Sequence, residues 1–294
     1  MVIARRTRLD LTNVSDRLVG SLPGLDKAAA ILHAVFDPVL GAKGNPLVKD
    51  ALYGTWLGHP LHPVMTDIPI GFWTSTLVLD AAGMEKSADL MLKLGTVSAL
   101  GTALSGMAQW HDLQEMKAPR RLGALHAILN VAATASYGVS WMLRGRKSRQ
   151  AGIVFSTAGF TLATAAGMLG GDLAYRLGIG VSRDAFEEPR GKWTAVVALD
   201  ELEAGSLRRV TPKRGEPLVL LRDGEAIYAA AATCTHVGGP LDEGTVEDAC
   251  ITCPWHGSLF DLRDGRVIHG PASSPIRAYE TRVSETGQVE VRPL

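Results

Sequence analysis

The chain has 294 residues, with 30 Lys+Arg against 30 Asp+Glu, 46% hydrophobic residues, 20% charged residues and 3 cysteines. A net charge of zero removes the electrostatic attraction on which nucleic-acid binding depends, and this much apolar content excludes a disordered chain. So few cysteines exclude a disulfide-built scaffold, and a positive mean hydropathy of +0.11 directs attention to stretches without charge.

Residues 1–55 read as a soluble or amphipathic N-terminal region. Arg5-Arg6 suggests a twin-arginine export signal, but Arg8, Asp10, Asp16 and Arg17 stand where an uninterrupted apolar segment must lie, so no secretory signal is expected. Residues 26–40 predict an amphipathic helix with Ile31, Val35 and Val39 on one face, suited to a membrane surface or to covering a helix bundle.

Residues 56–177 predict a transmembrane bundle of four helices. The stretches 94–110, 122–143 and 151–171 hold no Asp, Glu, Lys or Arg, and each is about long enough to cross a bilayer. A soluble bundle would keep a charged face on each helix. The fourth span, 68–82, follows Asp67, read as its cap or as a proton-handling group, and has Asp80 near its end. Small residues at Gly159/Ala163 and Gly167/Gly171 predict close helix contacts. Trp56, Trp110 and Trp141 fall near segment ends, where indoles favour the headgroup region. Without a signal the amino terminus stays inside, and an even number of spans returns the carboxyl terminus inside as well. The cations lean the same way, with Lys43, Lys49, Lys117, Arg120, Arg121, Arg176 and Arg183 on that side against Lys86, Arg144, Arg146, Lys147 and Arg149 on the other.

His59 and His62 precede the first span, His111 ends the second and His126 lies one turn into the third, so alternating helix directions put all four on one side of the membrane. They read either as interfacial hydrogen-bonding groups or as a site for b-type haem or quinone, with His126 and His62 or His111 as the expected pair. The segments Gly58-His59-Pro60-Leu61-His62-Pro63, Asp67-Ile68-Pro69-Ile70-Gly71 and 170–178 resemble an uncharacterised bacterial four-helix membrane domain over about residues 55–182. The resemblance implies a multi-pass protein of the bacterial inner (cytoplasmic) membrane and no particular activity.

Residues 178–190, rich in glycine and charge, read as a linker, and from 191 to 294 the pattern becomes that of an all-β domain. Short segments at 194–198, 218–221, 226–231 and 288–291 are separated by the turn signals Arg222-Asp223-Gly224, Arg263-Asp264-Gly265 and Glu285-Thr286-Gly287. Within them stand Cys234-x-His236 and Cys253-x-x-His256, each surrounded by glycine and proline. Two thiolates and two imidazoles hold either one zinc or the two irons of a [2Fe-2S] cluster.

Both motifs, their separation and the later loop Gly270-Pro271-Ala272-Ser273-Ser274-Pro275 resemble a Rieske [2Fe-2S] ferredoxin. The resemblance implies Cys234 and Cys253 on the buried iron, His236 and His256 on the outer iron, and the Pro271 loop as a lid. Respiratory members of the family carry a disulfide whose positions are Gly239 and Trp255 here, and a tyrosine where Phe260 stands. The pattern is therefore similar to the ferredoxins of aromatic-ring dioxygenase systems. With Ser258 as one remaining hydroxyl near the cluster and no tyrosine, the resemblance implies a potential near the lower end of the Rieske range, around −150 mV, and a reducing cytoplasm. Cys250 reads as a small strand residue in preference to a redox partner of Cys253. His269 is the one other histidine of this domain and reads as a surface or loop-packing residue, so the domain lacks the second histidine of an oxygenase's mononuclear iron site. No dinucleotide fingerprint is present, so electrons come from a redox partner protein such as a reductase or go to one such as an oxygenase. Two functions follow: a membrane-anchored carrier of single electrons, or a haem- or quinol-linked membrane oxidoreductase whose bundle supplies the redox chemistry.

Overall fold

Stretches without charge can cross a membrane only if every backbone polar group is bonded within its own segment, which the α-helix achieves. The computed structural model describes residues 14–146, 148–182, 191–212 and 215–294. Arg5-Arg6, Arg8, Asp10, Lys147, Arg183 and residues 183–190 of the expected linker lie outside these. The helices in chain order are α1 (Val14–Ser21), α2 (Leu25–Leu40), α3 (Pro46–Tyr53), α4 (Leu61–Ala81), α5 (Glu85–His111), α6 (Lys117–Gly145) and α7 (Arg149–Gly171). The chain divides into two compact units, Met1–Lys43 with Pro63–Leu177, and Gly44–His62 with Gly178–Leu294. The segment Gly44–His62 belongs to the β-rich unit.

In the helical unit, Glu85–His111, Lys117–Gly145 and Arg149–Arg176 are long and apolar enough to cross a membrane. Their outward faces carry exposed Val97, Leu100, Leu104, Val131, Met142, Val154 and Met168, apolar surface of the kind a bilayer covers. Helix α4, which includes Asp67, Pro69 and Asp80 among its 21 residues, falls short of that hydropathy. It begins at Leu61, so Asp67 lies inside the helix and does not cap it.

The interior of this unit is built on flat, close contacts. Trp73 of α4 stacks on Tyr137 of α6 at 4.2 Å, and a Cβ at Gly95 of α5 would fall 2.6 Å from the Trp73 ring. The expected close contact at Gly159 exists, its missing Cβ leaving room for the Tyr137 ring at 3.0 Å. Gly167 and Gly171 meet nothing within 4 Å, and Gly170 is the residue that packs, against His126. Trp110 also departs from expectation: it is buried against Gly123, and its indole N–H donates to the Pro119 carbonyl at 3.3 Å.

Four helices meet in one buried charge network. Asp80 of α4, 5% exposed, pairs with Arg144 of α6 and at 2.9 Å with Arg149 of α7, while Asp89 of α5 pairs with both arginines at 3.0 Å. At the other end α2 covers the bundle, with Leu25 packed on Leu122, Leu125 and Leu169, and Asp26 paired with Arg120 at 2.9 Å and with Arg121. Ile31, Val35 and Val39 are exposed, so of the two roles expected for this face the structure leaves it open to a membrane surface and does not use it to cover the bundle.

The β-rich unit holds β1 (Thr194–Ala198), β2 (Leu207–Val210), β3 (Leu218–Asp223), β4 (Ala226–Ala231), β5 (Thr245–Glu247), β6 (Cys250–Thr252), β7 (Leu259–Asp261), β8 (Val267–His269), β9 (Ala278–Val283) and β10 (Gln288–Pro293). They form an antiparallel sheet of order β1-β10-β9-β4-β3-β2 and a second one of order β5-β6-β7-β8. Alternation along β3 sends Leu218 and Leu220 into one apolar core with Val197, Ala229 and Val289, and Val219 and Leu221 into another with Ile251, Phe260 and Ile276. Gly265 makes its turn at φ 78°, where a Cβ would lie 1.9 Å from the Ile276 carbonyl. Helix α3 joins this unit; Asn45 accepts the Leu47 N–H at 2.9 Å as its cap, Pro46 opens it, and Gly54 ends it at φ 84°.

Candidate metal centre of the β unit

The two Cys–His loops leave the ends of β4 and β6 and share one backbone design. Cys234 N–H donates to the Gly239 carbonyl at 2.8 Å and Gly238 N–H returns to the Cys234 carbonyl at 2.9 Å. Cys253 N–H donates to the Ser258 carbonyl at 2.8 Å and Gly257 N–H returns to the Cys253 carbonyl at 3.1 Å. Gly238 and Gly257 stand at φ 87° and 75°, the left-handed region that glycine occupies without strain, and this turns each loop back on itself.

The fold brings all four expected donors together. The Cys234 and Cys253 thiols, 1% and 2% exposed, bond to each other, and the His236 and His256 rings lie 5.0 Å apart, edge to face. The Cys234 hydrogen bond draws the Cys253 thiol down to about 6, against its burial, with help from the backbone N–H groups of Trp255 and His256. Cys234 is pushed up by the same bond and by burial, while the His236 backbone N–H and the Ser258 hydroxyl oppose that rise. Every sulfur therefore faces donors placed to stabilise negative charge, the requirement of thiolates on metal.

Of the expected surroundings, Gly239 is the cradle: a Cβ there would lie 2.8 Å from the Cys253 sulfur and 3.2 Å from the Trp255 ring. Ser258, 1% exposed, bonds Cys234 and accepts the Ala272 N–H of the Pro271 loop at 3.0 Å. Phe260 is fully buried in the core beside both cysteines, Pro271 is buried, and Trp255 is 53% exposed. Cys250 pairs opposite Asp261 in the β6–β7 ladder, while the thiol facing Cys253 is that of Cys234. Two buried thiols, two imidazoles, backbone donors and a space that a side chain at residue 239 would fill suit a [2Fe-2S] cluster.

The contacts between residues 50–58 and the Pro271 loop escaped the sequence reading. Asp50 of α3 accepts from His269 Nδ1 at 2.7 Å and from the Gly270 N–H at 2.8 Å. Tyr53 and Thr55 leave no room for a Cβ at Gly270, and the Ser274 hydroxyl donates to the Gly58 carbonyl at 3.1 Å. The segment Gly44–His62 is thus a strap on the loop beside the candidate metal centre, with His269 as one of its contacts. The Asn45-Pro46 helix start was the one local signal for the strap.

The four histidines proposed for haem or quinone divide between the units. His59 and His62 belong to the strap, with His59 exposed. His126 has its Nδ1 2.8 Å from the Ala166 carbonyl and its Nε2 3.1 Å from the Asn130 amide nitrogen, so both ring nitrogens are engaged within the bundle. His111 stacks on His33. Haem or quinone finds no support in these contacts.

Comparisons with known proteins find two families in the chain. A Rieske [2Fe-2S] domain profile matches residues 192–280, and that of a predicted membrane protein family, DUF2231, matches 58–183. Ferredoxin CarAc of Metapseudomonas resinovorans is 36% identical over 99 residues, which cover 34% of this chain and 92% of that protein. The anthranilate 1,2-dioxygenase ferredoxin subunit of Burkholderia cepacia is 36% identical over 106 residues, covering 36% of this chain and 95% of its own. Among solved structures, the ferredoxin of carbazole 1,9a-dioxygenase from Nocardioides aromaticivorans is 30% identical, covers 35% of this chain and 99% of its own, and has a TM-score of 0.33.

Proposed function

The chain belongs to the Rieske [2Fe-2S] family, and on that premise we propose that it is a membrane-anchored carrier of single electrons whose cluster is held by Cys234, His236, Cys253 and His256. The observation that carries this reading is the convergence of two thiols and two imidazoles from loops with the same paired backbone bonds. When bound, the cluster accepts and releases one electron. The chain's own groups set how readily it does so. The Ser258 hydroxyl and the N–H groups of His236, Trp255 and His256 favour the more negative reduced state, and Phe260, with no hydroxyl, adds nothing to them. These few donors support the low potential, around −150 mV, that the dioxygenase-type pattern suggests. The half-buried His256 with exposed Pro254 and Trp255 offers the surface for a redox partner, a reductase or an oxygenase, the latter of the kind for which the anthranilate 1,2-dioxygenase ferredoxin subunit is named.

In this proposal α4 joins the three long apolar helices as a fourth span, because its Asp80 is neutralised by Arg144 and Arg149 and its Trp73 is packed inside the bundle. The membrane is the bacterial inner membrane, with the β domain in the cytoplasm; all three cysteines are free, as suits a reducing compartment. The test is electron paramagnetic resonance of the dithionite-reduced, detergent-purified full chain together with metal analysis. A Rieske-type signal and two irons per chain are expected, both lost in Cys253→Ser. Stoichiometric zinc without iron overturns the proposal.

A further inference from the structure

The helical unit holds a second group of ligating side chains, separate from the Cys–His loops. His33 and Asp37 lie four residues apart on α2 and so share a face, and His111 is the last residue of α5. One ligand atom from each of the three lies within 4.8 Å of the others. The His33 and His111 rings stack at 4.1 Å, and His111 Nε2 is 3.5 Å from Asp37 Oδ1.

His111 makes this cluster more than a surface coincidence. It is 5% exposed, and neither of its ring nitrogens makes a hydrogen bond among the described residues. Buried polar atoms are normally satisfied, so an imidazole in this state points to an absent partner. Its Nδ1 lies 3.6 Å from Asp112 Oδ1, so a small ring rotation brings that carboxylate into hydrogen-bond reach and leaves Nε2 to ligate.

We propose that His33, Asp37 and His111 bind one divalent first-row transition-metal cation, with Asp112 positioning His111. Two imidazoles and a carboxylate suit zinc or ferrous iron better than calcium or magnesium, which take oxygen ligands. Three protein ligands leave coordination positions open, and they open to solvent, since Asp37 is 56% exposed. Metal bonds of about 2.0–2.2 Å bring donors closer than the spacing seen here, so the rings unstack on loading, with the half-buried His33 and the exposed Asp37 shifting toward the buried His111. Their helix is already fixed. Arg121 holds Asp26 and donates to the Val19 carbonyl at 2.7 Å and the Leu22 carbonyl at 2.9 Å, so α2 presents both ligands from a rigid frame.

The experiment titrates Zn2+ into the full-length protein carrying its iron–sulfur cluster, after treatment with a mild chelator, and counts bound metals by mass spectrometry. One zinc per chain is expected beyond the two cluster irons. His33→Ala and Asp37→Asn each weaken zinc binding by about 100-fold, and Asp112→Asn by about tenfold, with the resonance signal of the cluster unchanged. His33 and Asp37 lie outside the core, so their variants retain the fold and the cluster signal reports on the integrity of the chain. Equal zinc uptake by the wild type and the His33→Ala/Asp37→Asn double variant, whether one equivalent or none, overturns the proposal.

Discussion

Within the helical unit, polar groups are buried as ion pairs between helices distant in sequence; within the β unit, those at the metal centre are satisfied by the backbone of the loop that carries them. Asp80 and Arg144 are 5% and 2% exposed and pair with one another, Asp80 also with Arg149 and Arg144 also with Asp89. Cys234 and Cys253 take their backbone donors from residues only two or three positions along the chain. Loss of one charge in the first case leaves another buried and under-paired, whereas loss of one side chain in the second leaves most of the loop geometry intact.

Arg144→Met is the strongest test of this contrast. It leaves Asp80 with Arg149 alone, and the helical unit should lose about 3 kcal/mol, the lower end for a broken buried pair. Thermal loss of helical circular dichroism in detergent should shift down while the visible absorbance of the cluster melts at its former temperature; a common downward shift of both would show that the two units unfold together.

Asp50→Ala removes the acceptor for His269 and the Gly270 N–H, the strap's polar anchor on the Pro271 loop. About 1–2 kcal/mol of stability should be lost from the β unit, read as faster bleaching of the cluster in chelator, with the helical transition unmoved. An unchanged bleaching rate would show that Tyr53 and Thr55 hold the strap by packing alone.

Ser258→Ala has the smallest expected effect and the most specific readout. The hydroxyl's bond to Cys234 stabilises the reduced state, so its removal should lower the potential by about 50 mV, the equivalent of one hydrogen bond of about 1 kcal/mol in a one-electron couple. Redox titration followed by resonance measures it. A rise would assign the hydroxyl's main influence to the Ala272 N–H it holds.

The loop geometry of the candidate metal centre was legible because its information is local. Cys-x-His and Cys-x-x-His each lie in one tight loop, and glycines 238, 239 and 257 report the turns and close approach that the loops require. Strands β1 and β4 begin and end where the alternation and turn signals place them. The strap was not legible, since Asp50 and His269 are 219 residues apart and nothing in either neighbourhood specifies the other. The His33, Asp37 and His111 group went unread, because its third member comes from another helix.

The amino-acid sequence by itself determined which stretches become long apolar helices, where the chain changes to strands, and which side chains form the cysteine–histidine set. Each of these follows from backbone hydrogen bonding, side-chain periodicity and loop spacing over a few residues. Only the tertiary structure decided which face of α2 is buried, that Trp110 packs inward, that Gly159 and not Gly167 receives a neighbouring helix, and that His111 meets His33. Those outcomes depend on the summed packing and charge pairing of segments distant along the chain, where a helix with apolar groups on more than one side has no local preference for the face it hides.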